Sequence, residues 1–126
     1  MIAAATQGQP VFIPLRSTQP VCFVYVDDVA EQLVRLCLAP GLAFRFYNSG
    51  GYTSTPGEFR DIVKKYYPRA KISFDEKAPL WSFPYRIDGS RLADEIHLTI
   101  RDPETGLFDQ MNQERSRLGL EPLQRK

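Results

Sequence analysis

The chain has 126 residues, of which 43% are hydrophobic and 25% charged, so its size and composition predict a single globular domain over residues 1–126. A formal net charge of +1 creates no long-range electrostatic field, and we expect neither nucleic acid nor an acidic membrane surface as a partner. No apolar run approaches the roughly 20 residues of a membrane-spanning helix, and the first residues lack the features of a secretory signal.

Prolines divide the first third of the chain into short segments. The opening residues are predicted to be the end of a helix. Residues 11–13 and 21–26 are β-branched and aromatic, which predicts two strands. Asp27 or Asp28 is predicted to cap a helix that continues to Pro40, and the apolar residues of that segment recur at helical spacing. We expect this helix to be well buried.

The middle of the chain repeats the order of strand, turn and helix. Residues 44–48 are predicted to form a strand, and two glycines at residues 50–51 permit a turn. Thr55 and Glu58 have the spacing of a capping box, which starts a helix that Pro68 ends.

The last part of the chain contains a predicted strand at residues 71–74 and a proline-containing loop at residues 78–84. Asp88 is placed to cap a short helix, and a longer helix is predicted from Asp102 to Gly119. Strands that alternate with helices indicate an α/β fold. Because helices separate the strands, we expect a small, mainly parallel sheet with flanking helices and right-handed crossovers.

The residues that could carry chemistry are few. Cys22 in a predicted strand and Cys37 on a predicted apolar helix face are expected to be reduced core thiols, which favours the cytoplasm. His97 is the single histidine and no cysteine pair has ligand spacing, so no metal site is predicted. A serine nucleophile is not expected either, since the Gly-x-Ser-x-Gly pattern is missing from the sequence.

Two further patterns have structural explanations. The glycines at 50–51 follow a predicted strand but match neither Gly-x-Gly-x-x-Gly nor the Walker pattern, so a tight turn is the simpler interpretation. Tyr67 and Lys71 formally match Tyr-x-x-x-Lys, in which one helical turn brings the lysine beside a catalytic tyrosine. Pro68 between them disfavours that helix. We therefore predict no catalytic residue in this chain.

Four segments occur in a distinctive order. They are Val-Tyr-Val-Asp-Asp-Val-Ala at residues 24–30, Tyr-Asn-Ser-Gly-Gly at 47–51, Glu-Phe at 58–59 and Asp-Gly-Ser-Arg at 88–91. In this order they resemble the C-terminal, substrate-side region of the extended short-chain dehydrogenase/reductases, the NAD-dependent epimerase/dehydratase family. Pro20, Pro68 and Trp81 add a likeness to the L-threonine dehydrogenase branch of that family.

The resemblance implies the C-terminal part of a Rossmann-like NAD(P)-binding enzyme without its N-terminal dinucleotide-binding half. In the family, the glycine-rich cofactor turn and the catalytic Tyr-x-x-x-Lys precede this region. The complete enzyme would use NAD or NADP, whereas this chain alone is expected to bind no cofactor. The resemblance suggests Trp81, Tyr85, Arg86 and Arg91 as candidates for binding a nucleotide sugar or a small hydroxy compound.

Two functional hypotheses remain open. In the first, the chain is a truncated, non-catalytic substrate-binding lobe that works with a missing dinucleotide-binding half. In the second, it is a standalone, non-enzymatic binding or dimerisation domain derived from such an enzyme. Strands and an apolar helix that would meet a larger sheet leave an apolar patch or a strand edge when that sheet is missing, and self-association often covers such patches. We therefore expect a homodimer.

Overall fold

The computed structural model describes residues 1–125, and these form five helices and four short strands. In chain order the elements are α1 (Ile2–Thr6), β1 (Val11–Ile13), β2 (Val21–Phe23), α2 (Val26–Leu38), β3 (Tyr52–Ser54), α3 (Pro56–Tyr66), β4 (Ile72–Phe74), α4 (Ser90–Ile96) and α5 (Pro103–Arg117). The predicted α/β fold is confirmed. Within the described residues, no helix is long and apolar enough to cross a membrane.

The chain separates into two compact units, each built from segments distant in sequence. Unit 1 comprises Met1–Pro20, Thr55–Ser82 and the chain from Glu104 onward, and it holds α1, β1, α3, β4 and nearly all of α5. Unit 2 comprises Val21–Ser54 and Phe83–Pro103, and it holds β2, α2, β3 and α4.

The sheet of unit 1 is parallel, as the order of elements predicts. β1 and β4 pair with Val11 opposite Ile72 and Ile13 opposite Phe74. These four side chains are half-buried, whereas Phe12 and Ser73 on the other face of the sheet are exposed. One face of this short sheet therefore packs inward, as alternation of side chains along a strand requires.

The core of unit 1 is formed by one face from each of its three helices. Met111 and Val63 have no exposed surface, and the rings of Tyr66 and Phe108 pack with their centroids 5.3 Å apart. The buried members of this cluster are Ile2, Ala5, Val63, Tyr66, Phe108 and Met111. Helix α3 contributes Val63 and Tyr66 to this core, and α5 contributes Phe108 and Met111.

The start of α3 confirms the predicted capping box. The hydroxyl of Thr55 accepts a hydrogen bond from the Glu58 amide at 3.2 Å, and the Glu58 carboxylate accepts one from the Thr55 amide at 2.8 Å. Pro56 occupies the first helical position, where its missing N–H costs nothing. At the other end, Tyr67 follows the helix and Lys71 precedes β4, so the two residues do not share a helical turn.

The sheet of unit 2 departs from the parallel arrangement. β2 and β3 pair antiparallel, with Val21 opposite Ser54 and Phe23 opposite Tyr52. The connection from β2 to β3 contains α2 and then an irregular segment, residues 39–51. This second part of the connection lets the chain turn again after the helix, so β3 can run antiparallel to β2. β2 also ends three residues before its predicted boundary, because α2 begins at Val26.

The start of α2 also differs from the prediction. Tyr25 is the N-cap residue and makes no side-chain capping bond, so neither Asp27 nor Asp28 is the cap. Asp28 is buried; its carboxylate accepts a 2.7 Å hydrogen bond from the Arg101 amide and lies 3.1 Å from the Arg101 guanidinium. This long-range partner, which local spacing cannot reveal, explains why an aspartate occupies the first turn.

The prediction that α2 is well buried is wrong. Val26, Leu33, Val34 and Leu38 are between 57% and 77% exposed, and the buried residues of the helix are Asp28 and Gln32. Cys37 is also exposed rather than a core thiol, whereas Cys22 is half-buried; both are free. Helical spacing identified the apolar positions correctly but did not show which side of the helix faces the protein.

Residues 44–48 do not form the predicted strand. In this irregular segment the Phe44 amide donates to the Tyr47 hydroxyl at 3.0 Å, and that hydroxyl donates to the Glu95 carboxylate at 3.0 Å. Side-chain bonds thus replace the strand ladder that the β-forming composition favours.

Candidate functional site

Two depressions in unit 2 meet at Asp88. The first has a volume of about 290 Å³, and α4 and residues 98–100 supply most of its apolar side chains. The second has a volume of about 370 Å³ and is lined by Phe46, Asn48, Asp88 and Arg91. We call the second depression the Arg91 pocket; its polar and aromatic lining makes it the better candidate for binding a polar ligand.

Asp88 is held beside the start of α4. Asp88 was predicted to be the cap, but Gly89 is the N-cap residue. The Oδ1 atom of Asp88 nevertheless accepts a 2.9 Å hydrogen bond from the Ser90 amide, one of the N–H groups that the helix leaves without an internal partner. The bond from the Ser90 amide lowers the pKa of the Asp88 carboxyl, and the nearby charge of Arg91 acts in the same direction. Asp88 is therefore an anion at neutral pH.

Close contact between two glycines positions this region. A Cβ on Gly89 would lie 2.6 Å from the Gly50 Cα atom and 2.8 Å from the Gly50 nitrogen, so only glycine fits. Gly50 itself has a φ of +70°, which glycine adopts without strain. The Asn48 amide group donates a 3.3 Å hydrogen bond to the Asp88 carbonyl. The segment after residue 46 is thus fixed against the segment before α4.

Arg91 projects from the first turn of α4. Its guanidinium carbon lies 4.6 Å from the centroid of the Phe44 ring, a cation–π geometry that restrains the side chain while leaving it exposed. Phe46, which also lines the pocket, is 86% exposed. A restrained guanidinium can donate several hydrogen bonds to a carboxylate, phosphate or hydroxyl group, and an exposed aromatic ring can stack on a sugar or base.

The apolar depression continues from the other side of Asp88. Leu92 and Ile96 of α4 form its floor. Gln32 of α2 is buried there, and its side-chain amide donates a 3.1 Å hydrogen bond to the Ser49 carbonyl. Since Gln32 is already bonded to the backbone, we interpret this depression as a packing feature.

The structure brings one of the four predicted binding residues, Arg91, into the pocket. Tyr85 and Arg86 also belong to unit 2 and are exposed, but neither lines the Arg91 pocket. The Tyr85 carbonyl accepts a 2.7 Å hydrogen bond from the Thr53 hydroxyl. Trp81 belongs to unit 1, where its amide donates a 2.7 Å bond to the Gln19 side chain and where its ring is half-exposed.

Sequence reasoning did not select Phe46 or Asn48 as site residues. Both lie in the segment predicted as a strand, where alternation puts Phe46 and Asn48 on the same face. That shared face, with an aromatic and an amide side chain on it, was the available signal.

The glycines of the predicted turn do not form a phosphate cradle. A Cβ on Gly51 would lie 2.6 Å from the Cys22 sulfur and 2.6 Å from the Phe23 carbonyl oxygen, and the space beside Gly50 is taken by Gly89. Their freedom serves packing within unit 2, so these residues do not fit a dinucleotide pyrophosphate. Within residues 1–125, no group of three or more His, Cys, Asp and Glu side chains could hold a metal ion.

No family model matches the sequence, and no curated protein matches it. Solved structures do match. The structure of L-threonine 3-dehydrogenase from Trypanosoma brucei aligns with a TM-score of 0.81 and 22% identity, covering 97% of this chain and 40% of that one. The holo form of the GalE-like L-threonine dehydrogenase from Cupriavidus necator aligns with a TM-score of 0.76 and 20% identity, over 89% of this chain and 39% of that one.

A third solved structure extends the likeness beyond threonine dehydrogenases. UDP-glucuronic acid 4-epimerase from Bacillus cereus, in complex with UDP-glucuronic acid and NAD, aligns with a TM-score of 0.70 and 18% identity, over 92% of this chain and 38% of that one. At these identities the likeness is one of fold. It confirms, for the fold, the predicted resemblance to part of the extended short-chain dehydrogenases. The chain spans about 40% of the length of the first of these structures.

Proposed function

We propose that this chain is the substrate-side portion of an NAD(P)-dependent epimerase, dehydratase or dehydrogenase. In this proposal it recognises a nucleotide sugar or a small hydroxy compound and contributes no catalytic group. The observation that carries the proposal is the Arg91 pocket, a depression of about 370 Å³ lined by the exposed Phe46 and by Arg91, whose guanidinium is restrained over the Phe44 ring. The fold likeness to enzymes of this class supports it.

The role of each pocket residue follows from its chemistry. Arg91 would bind an anionic or hydroxyl group of the substrate, and Asn48 would fix the backbone that carries Asp88. Phe46 would pack against the apolar face of a sugar or base. Asp88, ionised and next to Arg91, would accept hydrogen bonds from substrate hydroxyl groups. In this proposal none of these residues transfers a proton or hydride, and the reaction itself would depend on groups supplied elsewhere.

The cofactor would be bound by a dinucleotide-binding half that this chain does not provide. Neither Gly50 nor Gly51 faces open space that a pyrophosphate could occupy. Residues 44–48 favour such a partner, because their β-forming sequence lies outside the sheets and is exposed except at Tyr47. A neighbouring parallel sheet would give this segment a strand to pair with.

The reduced thiols favour action in the cytoplasm.

Calorimetric titration of the full chain tests the substrate half of the proposal. UDP-glucuronic acid and L-threonine serve as probes of the two ligand classes. We expect one of them to bind and the variant Arg91→Ala to weaken it about tenfold or more, because one charge-assisted hydrogen bond is worth roughly 1.5–3 kcal/mol. Arg69→Ala, which removes an exposed arginine from unit 1, is the matched control and should not change the affinity. Equal affinities of the two variants would refute the assignment.

A second function, a non-enzymatic dimerisation domain, is favoured by one specific observation. Helix α2 exposes four large apolar side chains, those of Val26, Leu33, Val34 and Leu38, beside the exposed charged residues Asp27 and Glu31. Soluble monomers rarely expose contiguous apolar patches of several hundred Å², and larger ones usually mark interaction sites. The two functions do not exclude each other, since the Arg91 pocket does not include residues of α2.

A further inference from the structure

Glu95 joins helix α4 to the irregular segment that carries part of the Arg91 pocket. Its Oε1 atom accepts a 3.2 Å hydrogen bond from the Ala43 amide, and its Oε2 atom accepts a 3.0 Å bond from the Tyr47 hydroxyl. Each carboxylate oxygen therefore holds a different residue of the segment. Hydrogen bonds to a carboxylate are stronger than those between neutral groups, so this is a firm connection.

The Tyr47 hydroxyl extends the connection to Phe44. It accepts a 3.0 Å hydrogen bond from the Phe44 amide, and the two rings meet at an angle of 84° with their centroids 6.0 Å apart. The hydroxyl thus donates to Glu95 while it accepts from Phe44, and two bonds that share one hydroxyl strengthen each other. Phe44 is held both by its backbone and by its ring.

Two residues of the Arg91 pocket depend on these contacts. The guanidinium carbon of Arg91 lies 4.6 Å from the centroid of the Phe44 ring, so the restraint on Arg91 is only as firm as the position of that ring. Phe46 lies between Phe44 and Tyr47 in sequence, and its exposed ring contributes little to holding it in place. The bonds of its neighbours therefore fix the backbone from which Phe46 reaches the pocket.

Helix α4 is the rigid end of the connection. Leu92 and Ile96 are buried, and the Arg35 side chain of α2 donates 3.1 Å hydrogen bonds to the carbonyl oxygens of Ile96 and His97 at the end of α4. Residues 43–48, by contrast, belong to no helix or strand. Glu95 lies one helical turn after Arg91, so the same face of α4 presents the guanidinium and the carboxylate that holds its aromatic support.

We propose that Glu95 is the positioning residue of the Arg91 pocket. It holds residues 43–47 against α4, and in this way it keeps the Phe44 ring against the Arg91 guanidinium and Phe46 at the pocket. The inference rests on the proposed function, in which Arg91 binds the substrate. A ligand binds more weakly in proportion to the fraction of molecules that have the competent arrangement. If the variant Glu95→Ala leaves about a tenth of the molecules in that arrangement, the affinity falls about tenfold.

Side-chain NMR of Arg91 in the full chain tests the positioning without any ligand. Protons that lie over an aromatic ring resonate upfield, so the side-chain protons of Arg91 should be shifted upfield, and Phe44→Leu should abolish that shift. We expect Glu95→Ala to remove most of it. Asp94→Ala, which takes a negative charge from an exposed position of the same helix, is the matched control and should leave the shift unchanged.

Tyr47→Phe provides a milder perturbation. It removes the shared hydroxyl and leaves both rings, so it should also reduce the upfield shift of the Arg91 protons. Circular dichroism verifies that each variant is folded, and Tyr47→Phe decides the question if Glu95→Ala is not.

Calorimetric titration with UDP-glucuronic acid and with L-threonine measures the consequence for binding. For the probe that binds the natural chain, we expect Glu95→Ala to weaken the affinity about tenfold and Asp94→Ala to leave it unchanged. Glu95→Gln keeps one acceptor oxygen, so its affinity should fall between those of the natural chain and Glu95→Ala. If the loss of charge alone were responsible, Glu95→Gln would bind as weakly as Glu95→Ala, which would contradict the positioning role.

The two measurements separate the positioning role from the proposed function. Arg91 protons that keep their upfield shift in both Glu95→Ala and Tyr47→Phe would overturn the role of Glu95, whether or not a probe binds. An unchanged affinity in variants that have lost the shift would overturn it as well. Loss of the shift in a protein whose natural chain binds neither probe would support the connection from Glu95 to Arg91 and refute the proposed function.

Discussion

Replacing Gly89 with alanine tests whether backbone contact holds the pocket region together. The added Cβ would lie 2.6 Å from the Gly50 Cα atom, 2.8 Å from the Gly50 nitrogen and 3.1 Å from the Ser49 carbonyl carbon. All three are backbone atoms, so the clash cannot be relieved by rotating a side chain. The two segments that line the pocket would have to separate.

The size of the effect follows from the rigidity of those neighbours. One extra methyl group in a well-packed site costs about 1–3 kcal/mol, and a clash with backbone belongs at the upper end. We therefore expect Gly89→Ala to lower the free energy of unfolding by about 3 kcal/mol. For a chain of this size the melting temperature should fall by roughly 10 °C.

Urea denaturation followed by circular dichroism measures this change, and hydrogen exchange of unit 2 amides locates it. Gly41→Ala is the matched control, because nothing lies within 4 Å of a Cβ there and its φ is not positive. The control should change the free energy of unfolding by no more than about 1 kcal/mol, and in the stabilising direction. Equal stability of the Gly89→Ala and Gly41→Ala variants would refute the close contact.

Three further predictions concern single residues. The pKa of Asp88, measured by NMR, should lie below its ordinary value because the Ser90 amide donates a hydrogen bond to the carboxylate. Asp88 therefore stabilises the folded state at pH values above its pKa in the unfolded chain. This stabilisation is lost as the pH falls through the lower pKa of the folded state. A pKa at or above the ordinary value would contradict this geometry. Thr55→Ala should cost about 1 kcal/mol in urea denaturation by removing the cap on the Glu58 amide, whereas Thr55→Ser should cost little. Met111→Ala should cost about 2–5 kcal/mol by opening a cavity in the core of unit 1, and a loss below 1 kcal/mol would contradict its complete burial.

Local chemistry made parts of the fold predictable from sequence. The capping box at Thr55 and Glu58 needs contacts across only three residues, so its spacing alone identifies the start of α3. Pro68 likewise argues against the Tyr-x-x-x-Lys geometry from the sequence alone, because proline restricts its own backbone and that of the residue before it. Asp88 was predicted to cap α4; the N-cap residue is Gly89, one position later, and Asp88 bonds to the Ser90 amide.

Long-range partners made other parts unpredictable. The sequence of residues 44–48 favours a strand, but a strand needs a neighbour and the segment is held instead by the Tyr47 hydroxyl. Aspartate is a common N-cap residue, but Asp28 instead accepts a hydrogen bond from Arg101, which is distant in sequence. Helical spacing in α2 shows that one face is apolar, but it cannot show what covers that face.

The candidate site was predicted in part. Arg91 was identified through the Asp-Gly-Ser-Arg segment, but its position over the Phe44 ring and beside Phe46 depends on an irregular segment that sequence periodicity cannot describe. The approach of Gly50 to Gly89, which positions that segment, joins residues far apart in the chain and has no local signature.

Mapping ligand binding by NMR tests the central claim most directly. Amide spectra of the full chain would be recorded with UDP-glucuronic acid, with L-threonine and with NAD. We predict saturable shifts from one of the first two compounds, centred on Asn48, Asp88 and Arg91, and none from NAD. Shifts from NAD at Gly50 and Gly51, or the lack of any shift from either substrate probe at millimolar concentration, would contradict the account of a substrate-side portion that leaves the cofactor to a partner.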